Sequence, residues 1–559
     1  MPVEASAFEA DQSPTILNLG CEPSWFEKQL RALAKRPWLA ILLAGLIPLI
    51  GRGVLAPVLP VPKPAIQDEF GYLLAADTFA HGRLTNPTPA FAEHFETLQQ
   101  IIHPTYASKY PPFSSLLMAL GEKLFGEAWI GVWLSMGILG AALCWALMGW
   151  MPPAWAMAGV LAAVLRIGLV SYWTETYWGG SSAAIGGALV IGAVPRLIRR
   201  PRVLHSLLLA SGLAILANTR PYEGLLLAAI CLSYLGWALA RRKAGLVVVT
   251  RKIILPAALA LTPAFLWMAY YNYRVTGHAL EMPYVAHDHQ YNVWSPWLWK
   301  NQPGPAPQYS NAVLREFWID AYGKENQFAR EHWLKAHVSD VLGLARFFLG
   351  WPIALCMLAS AAPLWRNPKS RRVILLGGIF YAGCAFDARL FPHYAAPATA
   401  LVYLLAAWAL RTAWRQSRGS PGLRWILAGG VMAMFVVTTA AGLFTAKNRF
   451  YFSVADYHVK AKREMVANQL RREPGRQLVL VSYGSHHDPW EELVYNRADI
   501  DASGIVWARS LGPEKDNALI RYYLNRTVWL LEEDGEVKLK RYLASTESTT
   551  PTQLGRVPR

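Results

Sequence analysis

A mainly α-helical, polytopic membrane bundle of about eleven spans, with a small α/β domain at its C-terminal end, is predicted by three features of the amino-acid sequence. Hydrophobic residues form 54% of the 559 and charged residues only 16%, a balance that excludes a disordered chain and strains any water-soluble reading. The apolar residues gather in blocks that approach or exceed the roughly 17 to 25 residues a helix needs to cross a bilayer. Lys and Arg lie between those blocks, as in Arg196-Arg199-Arg200-Arg202 and Arg241-Arg242-Lys243. The net charge of +17 is therefore that of short cytoplasmic loops and does not call for nucleic acid.

Placing every basic group on one side puts spans near 38–58, 128–150, 153–172, 179–196, 204–219, 222–240, 253–273, 341–364, 372–387, 393–413 and 423–446. Residues 1–37, with Lys28, Arg31, Lys35 and Arg36, are then a cytoplasmic tail, and 38–446 is the transmembrane unit. Its loops 60–127 and 274–340 face outward, as does a soluble extracytoplasmic domain at 447–559. The chain is expected in a bacterial-type inner or plasma membrane. The first apolar block follows about 36 residues that include Glu4, Glu9 and Asp11, unlike the short basic start of a cleaved signal. It is expected to be a retained anchor. Pro112–Phe125 is too short to span and is expected to be an interfacial or re-entrant helix. None of the five cysteines falls in the outer segments, so no disulfide is expected.

In the tail, Gln477–Tyr483, Gly504–Ala508 and Thr527–Leu531 read as strands, with helices near Trp490–Tyr495 and Asn517–Leu524. That alternation predicts a small, partly parallel α/β sheet domain that caps the site or docks an acceptor. Ser485-His486-His487-Asp488 follows the first strand, where ligands often bind in such sheets. Asn525-Arg526-Thr527 matches a glycosylation sequon, a pattern too short to establish modification.

Ionisable residues cluster at the outer span ends: Arg166, Glu175, Arg220, Glu223, Arg346, Asp387, Arg389 and His393. Each charge at membrane depth costs about 2.5 to 3.5 kcal/mol on insertion scales, so the group points to a polar cavity opening outward. In the first loop, Phe70, Leu73, Leu74 and Ala80 form one face of a short helix preceded by Asp68 and followed by Gly82. Asp68 is either an N-cap or a general base at the cavity mouth. Glu69 points about 100° away on a helix, so one carboxylate is expected to act and not a facing pair. The segment His103-Pro104-Thr105-Tyr106-Ala107-Ser108-Lys109-Tyr110-Pro111-Pro112-Phe113 is stiffened by its prolines and presents Lys109 to lipid headgroups or to a phosphate. Trp173, Tyr177 and Trp178 surround Glu175, as an interfacial belt or as sugar-stacking planes. His287-Asp288-His289, in the second outer loop, reads as surface hydrogen bonding, and the nearby tryptophans as a lid.

The order of these motifs resembles the GT-C superfamily of membrane glycosyltransferases, and within it the protein mannosyltransferase and aminoarabinose transferase group. The resemblance rests on the outer Asp68-Glu69, the short helix ending at Gly82, the His103-Pro104 and Tyr110-Pro111-Pro112 segment, Leu124-Phe125-Gly126, and Thr219-Arg220-Pro221-Tyr222, and covers about residues 38–240. It implies transfer of a sugar from a polyprenyl-phosphate carrier to a lipid, glycan or protein acceptor, by inversion, at the outer membrane face. Asp68 matches the family's catalytic aspartate, with Lys109 and Arg220 as phosphate-binding cations, and His103, Glu69 and Glu175 as further substrate contacts. A phosphate-linked sugar carries its own leaving group, so one base and suitable cations suffice. No Asp-x-Asp stands in the first loop, and neither a metal nor a cofactor is expected. The competing readings are a lipid-linked glycan ligase or polymerase, a transporter or flippase, for which paired halves would be required, and a non-catalytic scaffold.

Overall fold

The computed structural model describes residues 35–416 apart from 296, 301 and 302, isolated positions between 417 and 454, and residues 455–542. Most of the N-terminal tail with its Lys28, Arg31 and Cys21, and nearly all of the span expected at 423–446, lie outside the described residues. In chain order the principal helices of the first part are α1 (Pro37–Val54), α2 (Gln67–Ala80), α3 (Phe113–Phe125), α4 (Trp129–Met148), α5 (Pro153–Gly168), α6 (Ser181–Arg199), α7 (Val203–Ala217), α8 (Pro221–Arg241), α9 (Leu246–Thr276), α10 (Pro283–Tyr291), α11 (Trp333–Phe348), α12 (Gly350–Ala359), α13 (Pro368–Cys384) and α14 (Ala396–Gln416).

Among the described residues α1, α4, α6, α8, α9 and α14 are long and apolar enough to cross a bilayer, and α5 and α7 are shorter apolar helices. Their outer surface is what lipid requires. On α9, Leu259, Phe265 and Leu266 are exposed, as are Ile50 and Val54 on α1, an arrangement that water would penalise and hydrocarbon does not. Inside the bundle, small residues let backbones approach: a Cβ on Gly140 of α4 would lie 2.2 Å from the Ala44 carbonyl oxygen of α1. The chain is an integral membrane protein with a mainly helical, polytopic fold.

The single span expected at 341–364 is replaced by two helices, α11 and α12, bent by 108°. Gly350 takes φ +61° at the break, a left-handed conformation that a side chain disfavours. The freed carbonyls at the end of α11 find donors in other helices. Arg166 donates to the Phe347 oxygen at 3.0 Å and to the Arg346 oxygen, and the Tyr403 hydroxyl donates to the Phe348 oxygen at 2.6 Å. The Arg166 guanidinium thus serves the bend.

The C-terminal domain begins with α15 (Ala455–Leu470) and continues through β3 (Arg476–Tyr483), β4 (Ile505–Arg509), α16 (Pro513–Tyr522), β5 (Arg526–Asp534) and β6 (Glu536–Arg541), after the two short strands β1 (Gln100–Ile101) and β2 (Ala107–Ser108) of the first loop. Its sheet has the order β4-β3-β5-β6, with β3 parallel to both neighbours and β6 antiparallel to β5. Alternate residues face opposite layers. Val479 and Val481 of β3 pack with Trp507, Leu531 and α15, whereas Leu478 and Leu480 face Leu519 of α16 together with Leu74, Phe95 and Tyr106 of the first loop. The helix expected near Trp490–Tyr495 is instead irregular chain, buried at residues 491–495, where Leu493 and Val494 pack with Val479 and Val481 of β3 and Tyr495 stacks on Phe70 of α2.

Candidate active site

The site starts at the first turn of α2. Ile66, not Asp68, is the N-cap, and Glu69 closes the turn: one carboxylate oxygen accepts the Ala65 and Ile66 N–H groups at 2.6 and 3.1 Å. Its other oxygen accepts the Tyr177 N–H at 3.0 Å. Glu69, expected as a substrate contact, is buried, holds backbone and does not line the cavity. The cap being filled elsewhere, Asp68, the second residue of α2, projects into a cavity of about 700 Å³.

Tyr110 fixes that carboxylate, its hydroxyl donating to Asp68 Oδ1. The ring reaches this position through the β1–β2 hairpin, in which Gln100 pairs with Ser108, and the Ser108 hydroxyl accepts the Tyr110 N–H at 3.1 Å. It stacks on Tyr72 with centroids 4.2 Å apart and planes at 8°. Gly71 makes room: a Cβ there would stand 2.9 Å from Tyr110 Cε2 and 3.1 Å from the Gln99 oxygen. Lys109, one residue earlier, also lines the cavity, with Nζ 5.4 Å from the Tyr110 ring centre and 5.7 Å from that of Trp318. Burial lowers its ammonium below the usual lysine range, against the opposing charges of Asp288 and Asp68.

Arg220 arrives from the other side, at the N-cap of α8, with its guanidinium 4.6 Å over the Tyr394 ring. The loop and this helix end are tied together by the Phe113 N–H, which donates to the Asn218 oxygen at 3.0 Å. Asp68, Lys109 and Arg220 therefore share one cavity, with the phenols of Tyr72 and Tyr110 between them.

Two other expected contacts stand elsewhere. Glu175 forms a bidentate pair with Arg52 of α1, at 2.6 and 3.2 Å, and that guanidinium covers Trp129 at 4.6 Å. A buried cation at the end of α1 uses the carboxylate. His103 is exposed, does not line the cavity, and its carbonyl accepts from Gln290 at 2.9 Å. Of the three aromatics near Glu175, Trp178 lines the cavity, while Trp173 and Tyr177 are packed in the core.

Asp68 is not the only acid that lines the cavity. Glu223, Asp288, Glu325, Asp387 and Asp488 line the same space, as do Arg389 and His393, because segments far apart in the chain converge on it. Burial, with Glu223 nearby, pushes Asp387 up to about 7 despite the Arg389 N–H that it accepts at 3.3 Å. Burial and Arg220 push His393 down, and its Nδ1 meets the Tyr172 hydroxyl at 3.0 Å. His287 is buried and held down at about 4, chiefly by burial and then by Lys109, whereas His289 is exposed. Among the described residues no group of three or more His, Cys, Asp or Glu stands close enough to hold a metal ion.

The signal for Tyr110 was present in the Tyr-Pro-Pro segment, but nothing local showed that its hydroxyl would meet Asp68. Asp288 and Asp488 sat in motifs noticed for their histidines. The paired role of Arg52 had no local signal at all.

A scan against family models returns no match, and neither does a search of curated proteins. Solved structures do match. ArnT from Cupriavidus metallidurans, crystallised with undecaprenyl phosphate, superposes with a TM-score of 0.50 at 12% identity, covering 91% of this chain and 93% of that one. An oligosaccharyltransferase from Archaeoglobus fulgidus, tethered to an acceptor peptide, gives a TM-score of 0.48 at 11% identity over 89% of this chain and 69% of that one. The likeness to ArnT covers nine-tenths of both chains, so this chain shares the fold of that structure.

Proposed function

We propose that the protein is a membrane glycosyltransferase that moves a sugar from a polyprenyl-phosphate carrier to an acceptor at the outer face of the membrane. The observation that carries this reading is the placement of Asp68, held by Tyr110, in one cavity with Lys109 and Arg220. Asp68 takes the proton of an acceptor hydroxyl, the oxygen attacks the anomeric carbon, and the bond from that carbon to the phosphate oxygen breaks. The carrier leaves as a phosphate monoester whose growing charge Lys109 and Arg220 meet. Arg offers a two-pronged contact and Lys a point charge. A single displacement of this kind inverts the anomeric configuration.

The ArnT structure holds undecaprenyl phosphate within the same fold, which supports a polyprenyl carrier here. The basic loops support a cytoplasmic N-terminus, and so an extracytoplasmic position for the cavity and the C-terminal domain. The test is transfer from undecaprenyl-phosphate-linked sugars by the purified protein in liposomes. The parent is expected to form covalent product of inverted configuration, and Asp68→Asn to lose at least about 100-fold in rate. Full activity in that variant removes Asp68 as the base, and carrier-dependent uptake without product establishes a transporter instead.

A further inference from the structure

The Ser485-His486-His487-Asp488 motif has no part in the chemistry above, yet Asp488 and Trp490 line the same cavity. They lie at the tip of an arm that is pinned on both sides. Before the tip, the Gly484 N–H donates to the Glu533 oxygen at 2.7 Å, the His486 N–H to Asp534 at 2.6 Å, and the buried His487 Nδ1 pairs with Glu533 at 2.5 Å. Lys462 of α15 ties Glu533 to Glu491 beyond the tip, at 2.9 and 2.5 Å. Further along, Tyr495 stacks on Phe70 of α2 at 4.0 Å, and Asp77 of α2 receives Arg497 and the Ala498 N–H, each at 2.7 Å. The arm is thus braced between the C-terminal sheet and the helix that carries Asp68.

The tip also makes contacts of its own. Asp488 Oδ1 accepts the Trp490 N–H at 3.0 Å, and the indole meets Phe317 edge-on at 5.0 Å. What the tip offers is a carboxylate two residues from an aromatic ring. Neither side chain offers a cation to the carrier's phosphate, which Lys109 and Arg220 receive. Hydrogen-bond acceptors beside an apolar plane suit a ring bearing hydroxyls on its edge and C–H groups on its face.

We infer that the 484–491 arm is the acceptor-recognising wall of the cavity and that the acceptor is a glycan, its hydroxyls bound by Asp488 and its ring face packed on Trp490. The inference rests on the transfer reading above. A rigidly held tip favours binding because little ordering is left to be done when the acceptor arrives.

The experiment uses the full-length protein in liposomes, a panel of undecaprenyl-phosphate-linked monosaccharides as donors, and two acceptor arms, soluble oligosaccharides and a Ser/Thr peptide. Transfer is expected to the oligosaccharides. Asp488→Asn and Trp490→Ala should each raise the acceptor KM at least ten-fold with a smaller change in kcat, and Trp490→Phe should restore most of the loss. Glu533→Gln, at a residue outside the cavity, should raise the same KM by loosening the arm. Asp488 is exposed, so its variant tests the wall without threatening the core. Unchanged KM values, a fall in kcat alone, or transfer to the peptide or to neither acceptor overturns the inference. A parent that releases no carrier phosphate from any donor overturns the transfer reading, and this inference with it.

Discussion

Replacing Gly71 by alanine tests the coupling between helix packing and chemistry. The new methyl would stand 2.9 and 3.0 Å from two atoms of the Tyr110 ring and 3.1 Å from the Gln99 oxygen, whereas ordinary carbon contacts lie near 3.5 to 4.0 Å. The ring must retreat by roughly 0.5 to 1 Å, and Tyr72 stacked 4.2 Å away limits where it can go. Two effects on stability then oppose each other. Alanine in a helix interior gains about 1 kcal/mol over glycine, and overpacking costs about 1 to 3 kcal/mol, so the net loss is about 0 to 2 kcal/mol. The chemistry has no such compensation, because the displaced hydroxyl leaves Asp68 without the bond that orients it. A misplacement of that size costs on the order of 100-fold in rate. The assay is transfer rate in liposomes beside the thermal midpoint in detergent, for G71A, Y110A and the double variant. The double variant should lose little beyond Y110A, since the methyl then meets no ring. Full transfer by G71A, or additive losses in the double variant, would refute the proposed link.

Arg220→Lys should lower transfer by about ten-fold and weaken competition by free undecaprenyl phosphate, since a point charge replaces a planar fork; equal competition would remove Arg220 from the phosphate site. Glu175→Ala should cost about 3 to 5 kcal/mol in unfolding experiments by leaving Arg52 buried and unpaired, and an unchanged midpoint would contradict the pairing. Transfer should fall at alkaline pH below the usual lysine range, because burial lowers Lys109, and Lys109→Arg should flatten that limb. Asp387 has a folded pKa raised to about 7, so its contribution favours the folded state at acid pH and is lost as pH rises through 7. Asp387→Asn should therefore raise the midpoint over the parent at pH 8, with the difference closing towards pH 4.

The membrane fold was legible because its signal is local. Twenty apolar residues in a row must form a helix wherever lipid removes water, since every backbone group then needs a partner within its own segment. Asp68, Lys109 and Arg220, which line one cavity, stood out for a related reason, each being a charge beside apolar chain that demands an explanation. Glu69 and Glu175 met the same criterion and took other roles. Their carboxylates are used by backbone N–H groups at 65, 66 and 177 and by Arg52, and no local pattern records such partners.

What the amino-acid sequence determined by itself was the helical bundle, the small sheet and a short list of charges beside apolar segments, because periodicity and hydropathy act within a few turns of chain. Tertiary structure alone decided which charges meet. Tyr110 reaches Asp68 across a hairpin and a glycine gap, α11 turns away from α12 over carbonyls capped by Arg166 and Tyr403, and Asp488 arrives from a domain folded more than 400 residues later. Those meetings depend on distances between segments, and side-chain charge becomes chemistry only when such distances shrink to a few ångströms.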